Sequence, residues 1–394
     1  MMLALEFSRS IPSYLLMRAA GGRAEVATSD LSLLHLGDVD VPELPGPGWR
    51  QVRPLVSGVC GSDLAALTGH ASFYLEPLTS YPFIPGHELS GRLEDGTRVV
   101  VQPVLGCAVR GIEPPCRFCA EGRIGLCLNV TEGPIDVGLQ TGYCAGTGGG
   151  WGELLVAHES QLYEVPEALS DEAAMLTEPL ACSIHAALRG AATKDDVVLV
   201  AGAGAIGLLT VAAVKLYTPP RQLICIAKYP HQAELARSLG ADLVVAPAQA
   251  YQRVRFATGA RRLEGIERDV LLGGADITFE ATGNAGSLSD AVRLTRGGGR
   301  VVAVGMPGEA KVDWAPIWQR ELEVTGAYAY GVEKSTGKRT FEMALEASAS
   351  LNLDRLVGPL FPLTEYKEAI AYALAAGRMS AVRVAFDLRG LSDG

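Results

Sequence analysis

The spacing of apolar and polar positions divides the chain into regions of different character. From about residue 23 to residue 170, the apolar runs are short and are separated by glycine, proline and polar residues. Short runs bounded by turn-forming residues predict β-strands rather than long helices. The clearest predicted strands in this region are 52–59, 98–103 and 154–158.

After residue 170 the pattern changes. The stretch 173–188 is rich in alanine and leucine and predicts a helix. Strands then alternate with helices, which predicts an α/β fold with parallel strands joined by right-handed crossovers. The predicted strands are 197–201, 223–227, 243–245, 276–281 and 300–305, the helices between them begin near Ala205, Gln232 and Ser287, and mixed structure returns after about 325 with helices near 338–349 and 364–376 and a strand at 381–388.

Composition narrows the classes of protein to which the chain can belong. Hydrophobic residues make up 48% and charged residues 20% of 394 residues, which permits a large core and argues against disorder. The net charge of −10 argues against nucleic-acid binding, because neutralising phosphates requires clustered lysine and arginine. With no apolar run of about 18 residues and no secretory signal, we expect no membrane partner and a cytoplasmic location.

A glycine-rich segment follows the first of the alternating strands. The sequence VVLVAGAGAIG is a strand that runs into the pattern G-x-G-x-x-G and then into a helix. Gly202 permits the tight turn, Gly204 lets the backbone approach a pyrophosphate, and Gly207 lets the helix pack against the strand. Ala205 and Ile206 begin that helix, where free N–H groups attract phosphate. This setting predicts a dinucleotide site rather than an ordinary glycine turn.

The end of the next strand bears on the choice between NAD and NADP. In NAD sites an acidic residue about 20 positions further on bonds the ribose 2′-hydroxyl. Here that position is Ala227, and the cation Lys228 follows it. Without the carboxylate a 2′-phosphate is not repelled, and the lysine attracts it, so we expect NADP(H) in preference to NAD(H). The alternative is that Lys228 is only a solvated surface lysine.

Two later strand ends also carry glycine. One reads FEATG and includes Thr282, and the other reads GGGRVVAVG and ends at Gly305. The carboxyl ends of strands in such sheets face the ligand crevice. We therefore expect the backbone around Thr282 and Gly305 to line the nicotinamide side, unless both are plain turns.

Residues with metal-binding side chains stand in three places. Cys60, the pair His87 and Glu88, and Glu178 offer a thiol, an imidazole and carboxylates. Catalytic zinc takes such donors and keeps one position open for water or substrate. Because these residues lie far apart in sequence, spacing alone also allows Cys60 to be a buried thiol and His87 an ordinary core residue.

Four motifs give the chain a resemblance to a known family. GVCGSDLAALTG, PFIPGHELSG, TEPLACSIHAAL and VVLVAGAGAIGLL occur in the order and spacing of zinc-containing medium-chain dehydrogenases, and the likeness runs from about residue 50 to the carboxyl terminus. The chain is similar to the polyol, threonine and secondary-alcohol branch. The resemblance implies a GroES-like, mostly β catalytic domain at 1–178 with a zinc lobe at 104–130, a Rossmann domain at 179–322, and a return segment at 323–394.

The resemblance also implies residue roles. Cys60 and His87 would be firm zinc ligands, and the carboxylates of Glu88 and Glu178 would bind directly or exchange with water. Members of the family are usually dimers or tetramers, so we expect a homodimer or homotetramer.

The proton path departs from the family pattern. By the resemblance, Ser62 would hold the substrate oxygen and pass on its proton, and Asp63 would orient His87. Many members carry histidine five residues after the first ligand cysteine, but here that residue is Ala65. The relay through the cofactor ribose is therefore incomplete. Water would replace the histidine, unless His70 does.

A second cysteine cluster predicts a separate metal site. Cys116 and Cys119 form Cys-x-x-Cys, with Cys127 and Cys107 nearby. Such sets fit a closed, structural zinc site. In the family lobe the first two cysteines are also separated by two residues, but here Glu113, not cysteine, stands three positions before Cys116. Either an enlarged loop lets Cys107 complete the site, which the preference for thiolates favours, or Glu113 is the fourth ligand; a metal-free lobe is the remaining alternative.

These features predict a zinc-dependent enzyme that transfers a hydride between an alcohol or carbonyl substrate and NADP(H) or NAD(H). The alternatives are a zinc-independent quinone or enoyl reductase of the same fold and a non-enzymatic, zinc-stabilised interaction protein. Trp151, Phe73, Tyr74 and Tyr81 would form a bulky apolar pocket or serve as ordinary packing aromatics. The identity of the substrate therefore stays open.

Overall fold

The computed structural model describes residues 1–266 and 268–391. The chain divides into two compact units, Met1–Glu178 together with Tyr330–Gly394, and Pro179–Ala329. The first unit is mostly antiparallel β-structure and the second holds a parallel sheet, so the predicted combination of a GroES-like domain with a Rossmann sheet is confirmed.

Short strands dominate the amino-terminal part of the first unit. Its elements are β1 (Met2–Phe7), α1 (Ile11–Ala20), α2 (Ala24–Ala27), β2 (Leu34–Val39), β3 (Trp49–Gly58), α3 (Gly61–Leu67), β4 (Leu89–Leu93), β5 (Arg98–Val101), α4 (Arg117–Ala120), β6 (Leu155–His158), β7 (Leu162–Glu164) and α5 (Asp171–Met175).

Helices and strands alternate through the rest of the chain. The elements are α6 (Thr177–Gly190), β8 (Val197–Ala201), α7 (Ala205–Tyr217), β9 (Gln222–Ile226), α8 (Pro230–Ser238), β10 (Leu243–Val245), α9 (Ala250–Thr258), β11 (Arg261–Leu263), β12 (Val270–Leu272), β13 (Ala275–Glu280), α10 (Ala285–Leu294), β14 (Thr295–Ala303), α11 (Ala315–Gln319), β15 (Glu323–Gly326), α12 (Thr340–Leu351), β16 (Val357–Pro362), α13 (Tyr366–Leu374) and β17 (Arg383–Asp387). None of the helices in the described ranges has both the length and the apolar character needed to cross a membrane.

The main sheet of the first unit has seven strands in the order β16-β17-β3-β4-β5-β7, with β6 also pairing to β3. Strand β3 runs antiparallel to both β4 and β17. The end of β3 therefore lies beside the start of β4 and the start of β17, and residues just outside these strand ends come together although they are far apart in sequence.

The Rossmann sheet has six parallel strands in the order β10-β9-β8-β13-β14-β15. All five residues of β8 are buried. A continuous apolar strand of this kind is typical of a parallel sheet whose two faces are both covered. Because all six strands are parallel, their carboxyl ends share one edge of the sheet, which is where ligands bind in such folds.

Several elements differ from the sequence-based expectations. The predicted helix 173–188 is two helices, α5 and α6, because Leu176 ends the first. Strand β15 extends the Rossmann sheet beyond 322, where the family resemblance implied a return segment to the catalytic domain. The hairpin β11–β12 was not predicted, because all three residues of its first strand are exposed and two of them are arginines, so the strand lacks an alternation of apolar and polar positions.

Candidate metal and cofactor sites

The sheet explains how three distant segments meet in the first unit. Cys60 follows β3, and His87 and Glu88 directly precede β4. Ser57 of β3 is paired with Leu89 of β4, so the two segments share one sheet edge. The thiol, imidazole and carboxylate of Cys60, His87 and Glu88 each offer a ligand atom, and these atoms lie within 4.8 Å of one another.

Glu178 stands at a different position relative to this group. It lies in the first turn of α6 and is buried, but it is not one of the three residues whose donor atoms cluster within 4.8 Å. Its charge nevertheless acts on the site, because it contributes to raising the pKa of His87. It is therefore a nearby carboxylate outside the tight group.

Asp63 connects the backbone and side chains of the group. Its Oδ2 accepts a hydrogen bond from the Cys60 N–H at 3.0 Å, and its Oδ1 lies 3.5 Å from His87 Nδ1. Burial is the largest single effect and lowers the pKa of His87, but Asp63, Cys60 and Glu178 together raise it by more, and the net shift is well upward. Burial also raises the pKa of Asp63, and His87 opposes this. Since Nδ1 faces Asp63, the other ring nitrogen is the one available to a metal.

A buried arginine that the sequence motifs did not indicate lies against Glu88. Strand β17 places Arg383 beside the end of β3, and its Nη1 donates to the carbonyl of Val59 at 2.8 Å. Its Nη2 lies 3.1 Å from Glu88 Oε1, and both side chains are almost completely buried. A charged residue within the apolar run 381–386 was the sequence signal that could have identified it.

The hydroxyl expected to act on the substrate is next to this group. Ser62 lies in α3, and its buried Oγ makes no hydrogen bond to the described residues. His70, the alternative to the missing relay histidine, is exposed, and its Nδ1 contacts Thr68 Oγ1 at 2.9 Å. Ala65 cannot carry a proton. Among these residues, Ser62 is the one whose hydroxyl is left available to a ligand.

The second cysteine cluster is compact and local. The sulfur atoms of Cys107, Cys116, Cys119 and Cys127 lie within 4.8 Å of one another, whereas Glu113 is exposed and outside the group. Backbone N–H groups also point at the sulfurs, as from Cys116 to Cys107 at 3.3 Å. Such contacts stabilise thiolates, which are the form that binds zinc.

The enlarged loop after Cys107 has its own anchor. Arg110 is 1% exposed, and its guanidinium donates five hydrogen bonds to backbone carbonyls. The acceptors belong to Leu105, Glu132, Ile135, Asp136 and Gly138. One side chain thus joins the two ends of the cysteine-bearing segment.

In the second unit, the glycine-rich turn shows which glycines serve packing. A Cβ on Gly207 would lie 2.0 Å from the carbonyl oxygen of Gly202, and one on Gly202, which has φ of +109°, would lie 2.4 Å from Thr282 Cγ2. A Cβ on Gly204 would have nothing within 4 Å. Gly204 precedes α7, which begins at Ala205 and Ile206. Protein packing therefore requires two of the glycines and leaves space beside the third.

The neighbouring strand ends complete this edge of the sheet. The buried carboxylate of Glu280 accepts hydrogen bonds from the Thr282 N–H at 2.9 Å and hydroxyl at 2.6 Å, and from the Gly283 N–H. A Cβ on Gly305 would lie 2.5 Å from the Gly283 nitrogen. The turns after β13 and β14 are thus packed tightly against each other at the carboxyl ends of the strands.

The end of β9 has no carboxylate. Ala227 is buried just beyond it, and Lys228 is exposed, with its Nζ 5.4 Å from the centre of the Tyr229 ring. The exposed cation is accordingly near the edge where the sequence predicts the cofactor ribose.

The aromatic residues considered for a substrate pocket have different environments. Trp151 is 2% exposed, and its Nε1 donates to the Gly58 carbonyl at 3.1 Å, so it is a core residue. Phe73 and Tyr74 are exposed. Tyr81 contacts Phe83 at 5.5 Å between ring centres. They do not form one apolar pocket in the described structure.

The residues present fit zinc at both positions. Glu88 is 1% exposed, and apart from the Arg383 ion pair neither of its oxygens has a hydrogen-bond partner among the described residues. Arg383 offsets the charge of Glu88 through Oε1, but Oε2 is a buried acceptor with no hydrogen-bond partner among the described residues, and together with the thiol and the imidazole it makes a donor set that zinc takes. Four clustered thiolates need a cation to offset their charge.

Comparison with known proteins identifies the family. Residues 46–167 match the alcohol dehydrogenase GroES-like domain, and residues 205–350 match the zinc-binding dehydrogenase family. The chain is 31% identical to the erythritol/L-threitol dehydrogenase of Mycolicibacterium smegmatis, over 88% of this chain and 92% of that protein. It is 28% identical to the sorbitol dehydrogenase of Arabidopsis thaliana, over 87% of this chain and 89% of that protein.

A solved structure agrees. The fold matches a zinc-binding dehydrogenase from Sinorhizobium meliloti 1021 bound to NADP, with a TM-score of 0.70 and 25% identity, over 98% of this chain and 99% of that chain. The chain therefore belongs to the zinc-binding medium-chain dehydrogenase family. It is a zinc-dependent dehydrogenase that acts on alcohols and uses NAD or NADP.

Proposed function

We propose that this dehydrogenase interconverts a hydroxyl-rich alcohol, a polyol, and the corresponding carbonyl compound, with NADP(H) as the preferred cofactor. The observation that carries the proposal is the clustering of Cys60, His87 and Glu88 beside the available hydroxyl of Ser62. The two relatives compared above are both polyol dehydrogenases by name. This supports a substrate that carries several hydroxyl groups.

In this proposal Cys60 and His87 hold the catalytic zinc permanently. Glu88 and Glu178 are carboxylates that bind the metal directly or exchange with water. The chemistry supplied when both groups are bound is Lewis-acid lowering of the alcohol pKa and acceptance of a hydride by the nicotinamide. Arg383 balances the charge of Glu88. The four lobe residues Cys107, Cys116, Cys119 and Cys127 hold the structural zinc.

Ser62 handles the substrate proton. Its hydroxyl would accept the proton of the substrate hydroxyl while giving up its own, so that the serine stays neutral and one proton leaves the site. Because Ala65 replaces the relay histidine, the proton passes from Ser62 to water. Asp63 keeps His87 in one orientation.

The cofactor site is proposed at the carboxyl edge of the Rossmann sheet. Gly204 gives the pyrophosphate close access, and the N–H groups of Ala205 and Ile206 face it at the start of α7. Gly202 and Gly207 allow the turn and the close helix packing. The set is completed by residues that line the nicotinamide side, Thr282 and Gly305.

Preference for NADP(H) rests on Lys228. No acid follows β9 to bond a ribose 2′-hydroxyl, and Lys228 is exposed there as a charge partner for a 2′-phosphate. We expect Lys228→Ala to raise the KM for NADP⁺ about 10-fold and that for NAD⁺ less than about twofold. Lys215→Ala, an exposed lysine of α7 paired with Asp242, is the matched control. An equal effect of Lys228→Ala on both cofactors would refute the assignment.

The substrate class is tested with a panel of alcohols assayed with both cofactors after zinc has been quantified. Erythritol, L-threitol and sorbitol represent polyols, and 2-butanol represents an alcohol with a single hydroxyl. The proposal predicts the highest kcat/KM for a polyol with NADP⁺. A higher value for 2-butanol than for every polyol would contradict it.

The oligomeric state, a homodimer or a homotetramer, stays a prediction that light scattering can measure.

A further inference from the structure

Tyr143 belongs to none of the motifs that identify the family, yet it lies inside the proposed catalytic group. Its ring centre is 5.7 Å from that of His87 and 5.2 Å from that of Phe83. It comes from the loop before β6, far along the chain from α3. Local sequence spacing therefore gave no signal for its position.

The Tyr143 hydroxyl completes the hydrogen bonding of Asp63. It donates to Asp63 Oδ1 at 3.0 Å, while Oδ2 accepts the Cys60 N–H, also at 3.0 Å. Each carboxylate oxygen thus has one fixed donor, one from the backbone and one from a side chain. The plane of the carboxylate is set by these two bonds, and Oδ1 is the oxygen that lies 3.5 Å from His87 Nδ1.

Tyr143 is suited to act as a permanent donor. A tyrosine phenol has an ordinary pKa of about 10, so it keeps its proton at neutral pH. The ring packs between Phe83 and His87, which restricts the direction of the hydroxyl. A rigid aromatic donor places Asp63 more firmly than water would.

We propose that Tyr143 is a positioning residue of the catalytic zinc site: its hydroxyl fixes Asp63, and Asp63 orients His87 toward the metal. This inference rests on the proposed role of His87 as a zinc ligand. Groups that orient a metal-binding histidine typically change metal affinity by about 10–100-fold when they are removed. Tyr143 therefore acts on the metal through two intervening side chains.

The test is Tyr143→Phe, which removes one oxygen and keeps the ring. Zinc affinity is measured on the full chain by competition with a chromogenic chelator, which resolves the catalytic from the lobe zinc. We expect the affinity of the catalytic zinc to fall about 10-fold, while the lobe zinc is unchanged. Tyr251→Phe is the matched control, because Tyr251 also donates to an aspartate, Asp290, but belongs to the other unit.

The alternative outcomes are distinct. If Tyr143→Phe leaves the affinity for the catalytic zinc unchanged, the proposal is overturned. This holds also if kcat falls, because Tyr143 would then act on the substrate directly. Equal weakening of both zinc ions also overturns it, because that indicates a general packing defect. A wild-type chain with lobe zinc alone would instead refute the proposed function.

A second measurement distinguishes an effect through Asp63 from a general effect on folding. A double-mutant cycle combines Tyr143→Phe with Asp63→Asn. If Tyr143 acts through Asp63, Tyr143→Phe should weaken zinc binding less than about twofold once Asp63 has been replaced. A full additional 10-fold loss would show that Tyr143 does not act through Asp63.

Discussion

The two metal-binding regions of the first unit are built in opposite ways. The lobe takes all four ligands from the single segment 107–127, and every ligand is a thiol. The catalytic group joins Cys60 to His87 and Glu88 through the pairing of β3 with β4. The ligands of the cysteine lobe are therefore brought together by one local loop. The thiol, imidazole and carboxylate of the catalytic group are brought together by the register of the sheet.

The surroundings differ as much as the ligands. In the lobe, backbone N–H groups point at sulfur, and Arg110 binds the backbone rather than a ligand. In the catalytic group, side chains surround the ligands, with Asp63, Tyr143 and Arg383 in direct contact. The first environment suits an ion that stays in place, whereas in the second the contacting side chains are charged or polar and Ser62 Oγ has no hydrogen-bond partner among the described residues.

Cys60→Ala is expected to have the largest effect, because it removes a ligand of the catalytic site and leaves the lobe intact. We expect kcat to fall about 1,000-fold or more, since Lewis-acid activation contributes several kcal/mol to the transition state and about 1.4 kcal/mol is tenfold in rate. The circular dichroism spectrum should not change. Cys225→Ala, a buried cysteine of β9 outside both clusters, is the control and should retain activity. Near-normal turnover by Cys60→Ala would rule out its role.

Arg110→Met tests the lobe without touching a ligand. Five carbonyls lose a charged donor at a buried position, so we expect a loss of about 3 kcal/mol in the free energy of unfolding of the lobe. Hydrogen exchange across 104–138 measures this locally. Arg117→Met, an exposed arginine of α4, is the control. If exchange in the lobe were the same for both variants, Arg110 would not be its anchor.

The smallest effect concerns the order of thiol reactivity in the metal-free lobe. Burial is the largest single effect and raises the pKa of Cys116, but hydrogen bonds from the N–H groups of Leu128 and Cys119 and from the thiols of Cys119 and Cys107 together lower it to about 6. Burial raises the pKa of Cys127 to about 11 and also raises that of Cys119. After zinc removal at neutral pH, Cys116 is the thiolate, so iodoacetamide should modify it first.

The preferential modification of Cys116 should also depend on pH. Below its pKa of about 6, Cys116 takes up a proton and its advantage is lost, so the preference should disappear on acidification to about pH 5. Peptide mapping by mass spectrometry gives the order of modification. Earlier modification of Cys127 at neutral pH would contradict the assigned environments.

The sequence was sufficient for features that are local. The run VVLVAGAGAIG predicted β8, the turn and α7, because strand, glycines and helix are adjacent in the chain. The lobe cysteines were also recognised from spacing, although spacing alone left the choice between Cys107 and Glu113. The structure places Cys107 with the other three thiols, and Arg110 of the loop 108–115 ties that loop to the carbonyls of Leu105 and Glu132 on either side of the cysteines.

Features that depend on the register of the sheet could not be predicted from the sequence. Arg383 and Tyr143 reach the catalytic group through the pairing of β17 with β3 and through a loop before β6. Neither has a fixed spacing to Cys60. Motifs alone also could not show that Trp151 is a core residue, because that depends on the packing of its indole against Gly58 and Phe386.

The zinc content of each chain shows whether the two sites bind separate ions. Measured by inductively coupled plasma mass spectrometry on purified protein, it should be about two in the wild type and about one in both Cys60→Ala and Cys116→Ser, because each site binds its own ion. Only the second variant should keep turnover above background. A wild-type chain with one zinc, or a Cys60→Ala chain that still holds two, would contradict the account.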